Sequence, residues 1–183
     1  ARETAARVAA GAVAKKMLAH YKIDCVAFVA EIGGIEIVPQ DLVDLKMIRE
    51  KTYSSPIFCP DERAAKKMME KIAEVREEKD SLGGILACVA HLPAGLGDPV
   101  YGKLEALLAF AMLSLPATKG FEIGSGFQAA RMRGSEHNDE FDIENGQVRT
   151  ATNFSGGTLG GISTGSPIFF RVAFKPTSGI KKP

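Results

Sequence analysis

The stretch that organises this chain is Asn153-Phe154-Ser155-Gly156-Gly157-Thr158-Leu159-Gly160-Gly161-Ile162-Ser163-Thr164-Gly165. We call residues 153–165 the glycine stretch, because five of these thirteen residues are glycine. Glycine reaches positive φ without a Cβ penalty and lets another backbone or a ligand come within contact distance. A core strand disfavours this density, since glycine packs nothing. Successive backbone N–H groups in such a turn can instead form a concave anion site.

The glycine stretch matches no nucleotide-binding fingerprint. It contains no Gly-x-Gly-x-x-Gly register, and Gly156 to Gly161 has the Walker spacing but is followed by Ile162 rather than lysine. A flexible surface loop is therefore the alternative to an anion site, and glycine content alone does not separate the two interpretations.

A second stretch, Phe174-Lys175-Pro176-Thr177-Ser178-Gly179, follows an apolar run near the end of the sequence. We call residues 175–179 the Lys175 segment. Its lysine supplies a point charge, its two hydroxyls supply donors, and its proline fixes the backbone between them. These groups suit a ligand that carries phosphate. The alternative is a strand that simply ends in a turn.

Length and composition are those of a globular protein. The 183 residues are 45% hydrophobic and 25% charged, which suits a single domain, residues 1–183, with its own core. A net charge of +1 offers no broad basic field, and aromatic residues at 7% offer few stacking surfaces. No apolar run of the sequence reaches membrane-spanning length. We therefore expect neither nucleic acid nor a membrane as a partner.

The three cysteines are Cys25, Cys59 and Cys88. Their odd number and wide spacing indicate free thiols in a reducing compartment rather than disulfides or zinc ligands. The sequence starts with neither methionine nor a signal peptide, and it enters a helical pattern at once. We interpret the chain as a fragment of a longer protein.

Periodicity predicts helices and strands in no steady alternation. Residues 2–20 form a predicted helix whose small apolar stripe can pack closely against a sheet or another helix. Residues 61–79 form an amphipathic helix with Met68 and Met69 in the core, and residues 84–92 and 168–174 form strands. The other predicted elements are strands within 24–37 and 119–126, helices at 40–51 and 100–115 (with Leu107 among the inward residues), a polar loop at 128–139, and a hairpin turned at Asn145-Gly146. This order favours an α+β fold over a doubly wound parallel sheet.

Two further groups of side chains bear on function. Arg2 lies at the start of the predicted first helix, where it can complete a phosphate or carboxylate site, although a solvated arginine is the alternative. The oxygen and imidazole groups that crowd together in one stretch are Glu136, His137, Asp139 and Glu140. The sequence lacks the two histidines one helical turn apart that zinc would use, so we favour a solvated acidic loop and expect no metal. We also find no Ser/His/Asp set.

Several stretches together resemble the chorismate synthase family, in order along the whole chain. They are Ala1-Arg2-Glu3-Thr4, Arg7-Val8-Ala9-Ala10-Gly11-Ala12, Phe58-Cys59-Pro60-Asp61, Pro93-Ala94-Gly95-Leu96-Gly97, Lys119-Gly120-Phe121-Glu122-Ile123-Gly124-Ser125-Gly126-Phe127, Arg133-Gly134-Ser135, the glycine stretch and Lys175-Pro176-Thr177-Ser178. The resemblance implies a layered α+β sandwich of helices and largely antiparallel sheets, assembled as a homotetramer. It also implies a phosphate lyase of the shikimate pathway, in aromatic amino acid biosynthesis. That enzyme converts 5-enolpyruvylshikimate 3-phosphate into chorismate by 1,4-anti elimination and needs reduced FMN (FMNH2).

The resemblance also assigns site residues. Arg2 lies in the family's Ser-Ala-Arg-x-Thr motif and would contact the substrate. The residues that fall where the family binds FMN are Pro116, Ala117, Gly160, Lys175, Pro176, Thr177, Ser178 and Gly179. Pro116 stands where asparagine is common, so only its carbonyl can contribute, since proline has no N–H. Gly179 stands where a second serine or similar residue is common.

The acid–base residues of the family have no counterpart in this sequence. None of His20, His91 and His137 matches the family's two histidines, so we assign no catalytic residue and expect the chain alone to be inactive. The alternatives are a nicotinamide-dependent oxidoreductase that uses the glycine stretch for pyrophosphate, and a non-catalytic scaffold in which that stretch packs subunits. We expect a cytoplasmic protein, or a plastid protein if a leader is missing.

Overall fold

The structure is a computed structural model that describes residues 2–37, 44–144 and 146–181. In these residues the α-helices are α1 (Arg2–His20), α2 (Leu45–Ser54), α3 (Glu62–Glu77), α4 (Leu104–Leu113) and α5 (Gly134–His137). The strands are β1 (Asp24–Ile32), β2 (Ile35–Glu36), β3 (Gly84–His91), β4 (Thr118–Ile123), β5 (Phe141–Glu144), β6 (Gln147–Thr150), β7 (Thr158–Leu159), β8 (Ile162–Ser163) and β9 (Ile168–Phe174). A 3-10 helix covers Gly126–Arg131. Among the described helices, none is long and apolar enough to cross a membrane.

Five strands form one antiparallel sheet in the order β2-β1-β3-β9-β4. β3 lies at its centre and pairs along its length with β1 and β9. β9 pairs with β4 from Phe174 opposite Thr118 to Phe170 opposite Ile123. The two ends of this β4–β9 pair carry the two stretches that the sequence singled out, because the glycine stretch precedes β9 and the Lys175 segment follows it.

Helices cover both faces of the sheet. Side chains alternate along a strand, so neighbouring residues of β3 point to opposite faces. Val89 packs in a cluster with Leu45 and Ile48 of α2, whereas Cys88 packs in a cluster with Leu108 of α4. Burying one large apolar side chain stabilises a fold by about 1.5–3 kcal/mol, so these two clusters hold the layers together. The α+β prediction, with layered helices and an antiparallel sheet, is confirmed.

The helix predicted at residues 61–79 is confirmed as α3. Its N-cap is Asp61, whose carboxylate accepts hydrogen bonds from Arg63 N at 2.9 Å and Ala64 N at 3.0 Å. Met68 is fully buried, as predicted. Met69 is 38% exposed, so its assignment to the core was wrong. Successive residues of a helix point about 100° apart, so with Met68 at the centre of the buried face Met69 lies at its edge.

Several other predictions are confirmed, and two need correction. The strands predicted at residues 84–92 and 168–174 are β3 and β9, and β5 and β6 form the predicted hairpin. The turn residue Asn145 and residues 40–43 of a predicted helix lie outside the described residues. That helix is α2, which begins after the N-cap Asp44. The loop predicted at residues 128–139 instead holds the end of the 3-10 helix and α5.

Two helices differ from their predictions in exposure. α1 spans the predicted residues, but its apolar stripe stays open, with Val8 68% and Val13 62% exposed. α4 begins at Leu104 rather than at residue 100, because Val100 takes a left-handed φ of +68°, which a right-handed helix cannot include. Leu107, predicted to face inward, is 55% exposed.

The three cysteines are free, as predicted. Cys59 is buried, and Cys25 and Cys88 are half-buried. Burial, with a smaller contribution from Cys25, raises the pKa of the Cys88 thiol to about 12. A thiol with such a pKa is not a nucleophile at neutral pH.

Candidate functional site

The Lys175 segment leaves the sheet where β9 ends and lies against the residues that follow α4. Lys175 N donates a hydrogen bond to Ala117 O over 3.0 Å. Ala117 takes a left-handed φ of +68°, which costs an L-residue about 1–2 kcal/mol. The structure therefore brings Pro116 and Ala117 beside Lys175, although they are far apart in the sequence.

Contacts on its other side hold the Lys175 segment to the loop before β3. Ser81 Oγ donates to Thr177 O over 2.7 Å. Gly83 makes room for the segment, because a Cβ at this position would lie 2.7 Å from Phe174 O and 3.1 Å from Pro176 Cδ. The backbone of the segment is thus fixed on two sides, while its side chains are exposed.

A cleft of about 510 Å³ opens beside Thr177, between α3 and the ends of β1 and β3. Its wall is mostly apolar and includes Ile72 and Val75 of α3 and Phe174 of β9. Arg76 adds a cation to the lining. A concave, mostly apolar cavity with a few polar groups is typical of sites for small molecules.

The start of α1 lies toward the same end of the sheet. Arg7 Nη1 donates to Ser114 Oγ over 3.0 Å, and Arg7 Nη2 donates to Ser114 O over 3.2 Å. Ser114 directly follows α4 and precedes Pro116 by two residues. Arg2 stands five residues before Arg7, which is about 7.5 Å along the helix axis. The predicted substrate arginine thus lies on the same helix as the Arg7 contact with Ser114.

The glycine stretch is a packed hairpin, so the flexible-loop interpretation was wrong. β7 and β8 flank the turn Gly160-Gly161, whose φ angles are +60° and +93°. Gly156 and Gly157 are buried, and a Cβ at Gly156 would collide with the backbone of Gly124. The glycine density thus reflects close approach of backbone to backbone. A hairpin also lacks the strand–turn–helix arrangement that a nicotinamide site of the dinucleotide-binding type needs.

One flank of the hairpin is hydrogen-bonded to the residues around the start of α4. Leu104 N donates to Gly161 O over 2.8 Å. Ser163 N donates to Leu96 O over 2.8 Å, and Leu96 N donates to Ser163 Oγ over 2.9 Å. Ser163 Oγ in turn donates to Pro93 O over 2.6 Å. These bonds fix the hairpin against the Pro-Ala-Gly-Leu-Gly loop.

Gly160, a predicted cofactor residue, is exposed at the tip of the hairpin. A Cβ at this position would meet no atom within 4 Å, so a ligand has open access to the backbone there. α4 starts beside the neighbouring Gly161 and ends shortly before Ala117. Its ten residues, about 15 Å in length, lie between Gly160 and the Lys175 segment. The structure thus divides the predicted cofactor residues into two separate groups.

The backbone donors at the base of the glycine stretch hold an anion that belongs to the chain itself. The donors to the Asp139 carboxylate are Thr152 Oγ1 at 2.6 Å, Phe154 N at 2.8 Å, Ser155 N at 2.9 Å and Ser155 Oγ at 2.7 Å. Partial burial of Asp139 opposes its ionisation, but these hydrogen bonds hold the pKa of the carboxyl below its ordinary value. The predicted anion site is filled by Asp139, and the prediction of a solvated acidic loop was wrong for this residue.

A serine–histidine pair lies beside Asp139. Ser125 Oγ and His137 Nε2 are 2.7 Å apart, and the His137 ring stacks on Phe154 with 5.7 Å between ring centroids. Ser125 N donates to Phe154 O over 2.8 Å, so this backbone donor is not free to stabilise an oxyanion. We assign the pair a structural role. In the part of the chain that the structure describes, no group of three or more His, Cys, Asp or Glu side chains is placed to hold a metal ion.

Sequence reasoning missed Asp139 and His137 because their partners lie outside any local pattern. Both belong to the segment that we expected to be solvated, and Asp139 contacts residues up to sixteen positions later in the chain. No helical or strand period connects positions so far apart. The density of hydroxyl and glycine residues after position 150 did indicate an anion site. It did not indicate that the anion would be a carboxylate of the chain itself.

Comparisons with known proteins agree over the whole length of the chain. The family model for chorismate synthase matches residues 1–183. The chorismate synthase of Protochlamydia amoebophila is 54% identical over 186 residues, covering 100% of this chain and 50% of that protein. The chorismate synthase of Methanosarcina mazei is 52% identical over 183 residues, covering 100% of this chain and 49% of that protein.

A plant relative and a solved structure extend this similarity. Chorismate synthase 1, chloroplastic, of Solanum lycopersicum is 52% identical over 186 residues, covering 100% of this chain and 42% of that protein. A crystal structure of a chorismate synthase superposes with a TM-score of 0.88 at 39% identity, covering 96% of this chain and 56% of that one. The chain spans about half the length of the curated relatives it matches. On these similarities, the chain belongs to the chorismate synthase family.

Proposed function

We propose that this chain supplies the cofactor-binding part of a chorismate synthase. That enzyme is a carbon–oxygen lyase that converts 5-enolpyruvylshikimate 3-phosphate into chorismate by 1,4-anti elimination of phosphate, with reduced FMN as cofactor. The observation that carries the proposal is the hydrogen bond from Lys175 N to Ala117 O. It joins two distant segments that both resemble FMN-binding segments of the family.

The Lys175 segment fits the chemistry of reduced FMN. The Lys175 ammonium group is an exposed cation suited to the cofactor phosphate, and the hydroxyls of Thr177 and Ser178 are donors. Ser81 and Ala117 already fix the backbone, so less conformational freedom is lost when a ligand binds. The neighbouring apolar cleft offers a surface for a flat ring. The residues that we propose to hold the cofactor here are Pro116 (through its carbonyl), Ala117, Lys175, Pro176, Thr177, Ser178 and Gly179.

Gly160 would make a separate contact with the same cofactor. Its turn is exposed and nothing lies within 4 Å of a Cβ position, so backbone and ligand can approach closely there. Because α4 separates this turn from the Lys175 segment, the cofactor would have to extend along α4. A Gly160→Val variant that binds FMN as tightly as the wild type, but assembles differently, would instead support the scaffold alternative.

The residues of this chain would bind and orient the reactants. Reduced FMN, when bound, supplies electron density to the allylic C–O bond from which phosphate leaves. Arg2 would pair with the phosphate or a carboxylate of the substrate, since a guanidinium binds such groups in a bidentate manner. In enzymes of this kind, hydrogen-bond donors that are fixed before the reaction stabilise the negative charge that develops on a leaving phosphate. We assign no acid or base to this chain, and we expect the 183 residues alone not to turn over substrate.

We further propose that the enzyme is a homotetramer and that residues 1–183 are one domain of it. Large exposed apolar side chains support an assembly, since a monomer rarely leaves many of them open. They include Val8 and Val13 of α1, and Leu107 and Phe110 of α4, the last at 79% exposure. Light scattering over a range of concentrations tests assembly, and a strictly monomeric chain would count against it. The compartment that we propose is the cytoplasm, with a plastid as the alternative that the name of the tomato relative supports.

The test of the cofactor proposal is a titration of FMN into the chain, with and without 5-enolpyruvylshikimate 3-phosphate, followed by flavin absorbance. We expect a spectral shift that the substrate strengthens. Lys175→Met should weaken FMN binding about tenfold, whereas the matched control Lys66→Met, an exposed lysine of α3, should leave it unchanged. A folded chain that shows no shift with both compounds present would overturn the proposal.

A further inference from the structure

The Asp139 carboxylate lies against two backbone donors of the glycine stretch, Phe154 N and Ser155 N. Its carboxylate accepts four hydrogen bonds, two from backbone N–H groups and two from hydroxyls. Hydrogen bonds to an ionised acceptor are shorter and about twice as strong as neutral ones. These bonds therefore hold residues 152–155 against Asp139, which lies two residues after the end of α5.

The hydrogen bonds from Ser155 to Asp139 lie five residues before the exposed turn at Gly160. Gly156 N donates to Asn153 O over 3.0 Å, which closes a tight turn directly after the Asp139 contacts. Gly157 O then accepts from Thr164 N over 2.9 Å, which joins the two arms of the hairpin at their base. β7 and β8 have two residues each, so the orientation of this base acts on the position of the turn together with the bond from Leu104 N to Gly161 O on the α4 flank.

The contacts on the two flanks of the hairpin differ in kind. On the α4 flank the hairpin is held by bonds between neutral groups, such as Leu104 N to Gly161 O. On the other flank, neutral bonds such as Ser125 N to Phe154 O are joined by charged ones, because the Asp139 carboxylate accepts from Phe154 N and Ser155 N. An amide in its place could accept with its oxygen only, and its NH2 group would face donors of the stretch. Phe154 N bonds Oδ1 and Ser155 N bonds Oδ2, so only a carboxylate at position 139 can accept from both at once.

We propose that Asp139 is a positioning residue for the Gly160 turn. By holding residues 152–155 it fixes the base of the β7–β8 hairpin and, with the α4-flank bonds, orients the exposed backbone of Gly160 toward the cofactor. The role of the turn toward the cofactor rests on the function proposed above. The positioning of the turn itself does not, and the experiment separates the two.

The experiment measures amide hydrogen exchange and FMN binding in the Asp139→Asn variant. We expect exchange to become about tenfold faster at residues 154–163, while amides shared by β3 and β9 keep their wild-type rates. FMN affinity should fall about tenfold. The matched control is Asp142→Asn in β5, whose carboxylate bonds the neighbouring Ile143 N over 2.7 Å, and it should change neither readout.

Thr152→Val keeps the carboxylate and removes one of its donors, so it tests the proposal if Asp139→Asn does not fold. We expect a smaller, local rise in exchange over residues 154–163, about threefold. Unchanged exchange in the hairpin of either folded variant overturns the proposal. Faster exchange in the hairpin with unchanged FMN affinity overturns the cofactor role of Asp139 and leaves a structural one. If the wild type itself binds no FMN but the hairpin responds as expected, the proposed function fails while the positioning of the turn stands.

Discussion

The two ends of the β4–β9 pair use their polar groups in opposite ways. At the Gly124 end, the backbone donors of Phe154 and Ser155 are bonded to Asp139, and Gly156 packs against the backbone of Gly124. At the Phe174 end, the backbone of the Lys175 segment is fixed while its ammonium and hydroxyl groups are exposed. We call the Gly124 end closed and the Phe174 end open. The more conspicuous sequence signal, the glycine stretch, thus lies at the closed end. A high density of glycine here indicates close packing, and the open site follows from a lysine and two hydroxyls.

The largest effect is expected from a substitution that disrupts the packing of the closed end. Gly156→Ala should destabilise the chain by about 4 kcal/mol or more, because the left-handed φ of +69° and the collision with Gly124 act together. Gly160→Ala, with a similar φ of +60° but open space, should lose only about 1 kcal/mol. Urea denaturation of both variants measures the difference. Equal losses would mean that the stretch is not packed as described.

The second prediction concerns the Asp139 carboxylate, which accepts hydrogen bonds from Phe154 N and Ser155 N at the closed end. The pKa of Asp139 is lower in the folded chain than its ordinary value of about 3.9, so the unfolded chain binds more protons in that range. The stabilisation is fully present above pH 4 and is lost as the pH falls through the folded pKa. Asp139→Asn should lose about 2–3 kcal/mol at pH 7, and its difference from the wild type should shrink below pH 4. Urea midpoints between pH 2.5 and 7 test this, and a constant difference would contradict it.

The third prediction addresses the open end. Ser81→Ala removes the donor to Thr177 O and should destabilise the chain by about 1 kcal/mol. If this bond prepares the Lys175 segment for a ligand, FMN affinity should fall by severalfold at a temperature at which the variant is fully folded. Calorimetric titration measures the affinity, with Ser54→Ala as the control, because Ser54 bonds only within the end of α2. An unchanged affinity would show that the bond does not prepare the site.

The smallest effect is expected at Ala117. Ala117→Gly relieves a left-handed φ of +68° but adds freedom to the unfolded chain, so we expect a net stabilisation of about 0.5 kcal/mol. A loss of stability in thermal unfolding would mean that the methyl group contributes packing that outweighs this strain.

Local pattern was enough to predict the elements that form the layers. The apolar run of residues 168–174 forms β9 as predicted, and Asp61 caps the helix that the apolar period of residues 61–79 predicts. Pattern failed where distant residues decide the outcome. The donors of the glycine stretch suggested an anion, but Asp139 fills the position through contacts that no local period encodes. The joining of Ala117 to Lys175 was available only through the resemblance, because a single backbone hydrogen bond leaves no trace in composition.

Hydrogen exchange of the chain with and without FMN and 5-enolpyruvylshikimate 3-phosphate tests most directly which end is open. We expect the ligands to protect residues 114–119 and 174–180, and to have a weaker effect at residues 159–161. We expect no change at residues 153–158, where the N–H groups of Phe154, Ser155 and Gly156 are already bonded within the chain. Protection confined to residues 153–158, with none around Ala117 and Lys175, would contradict the assignment of the open end.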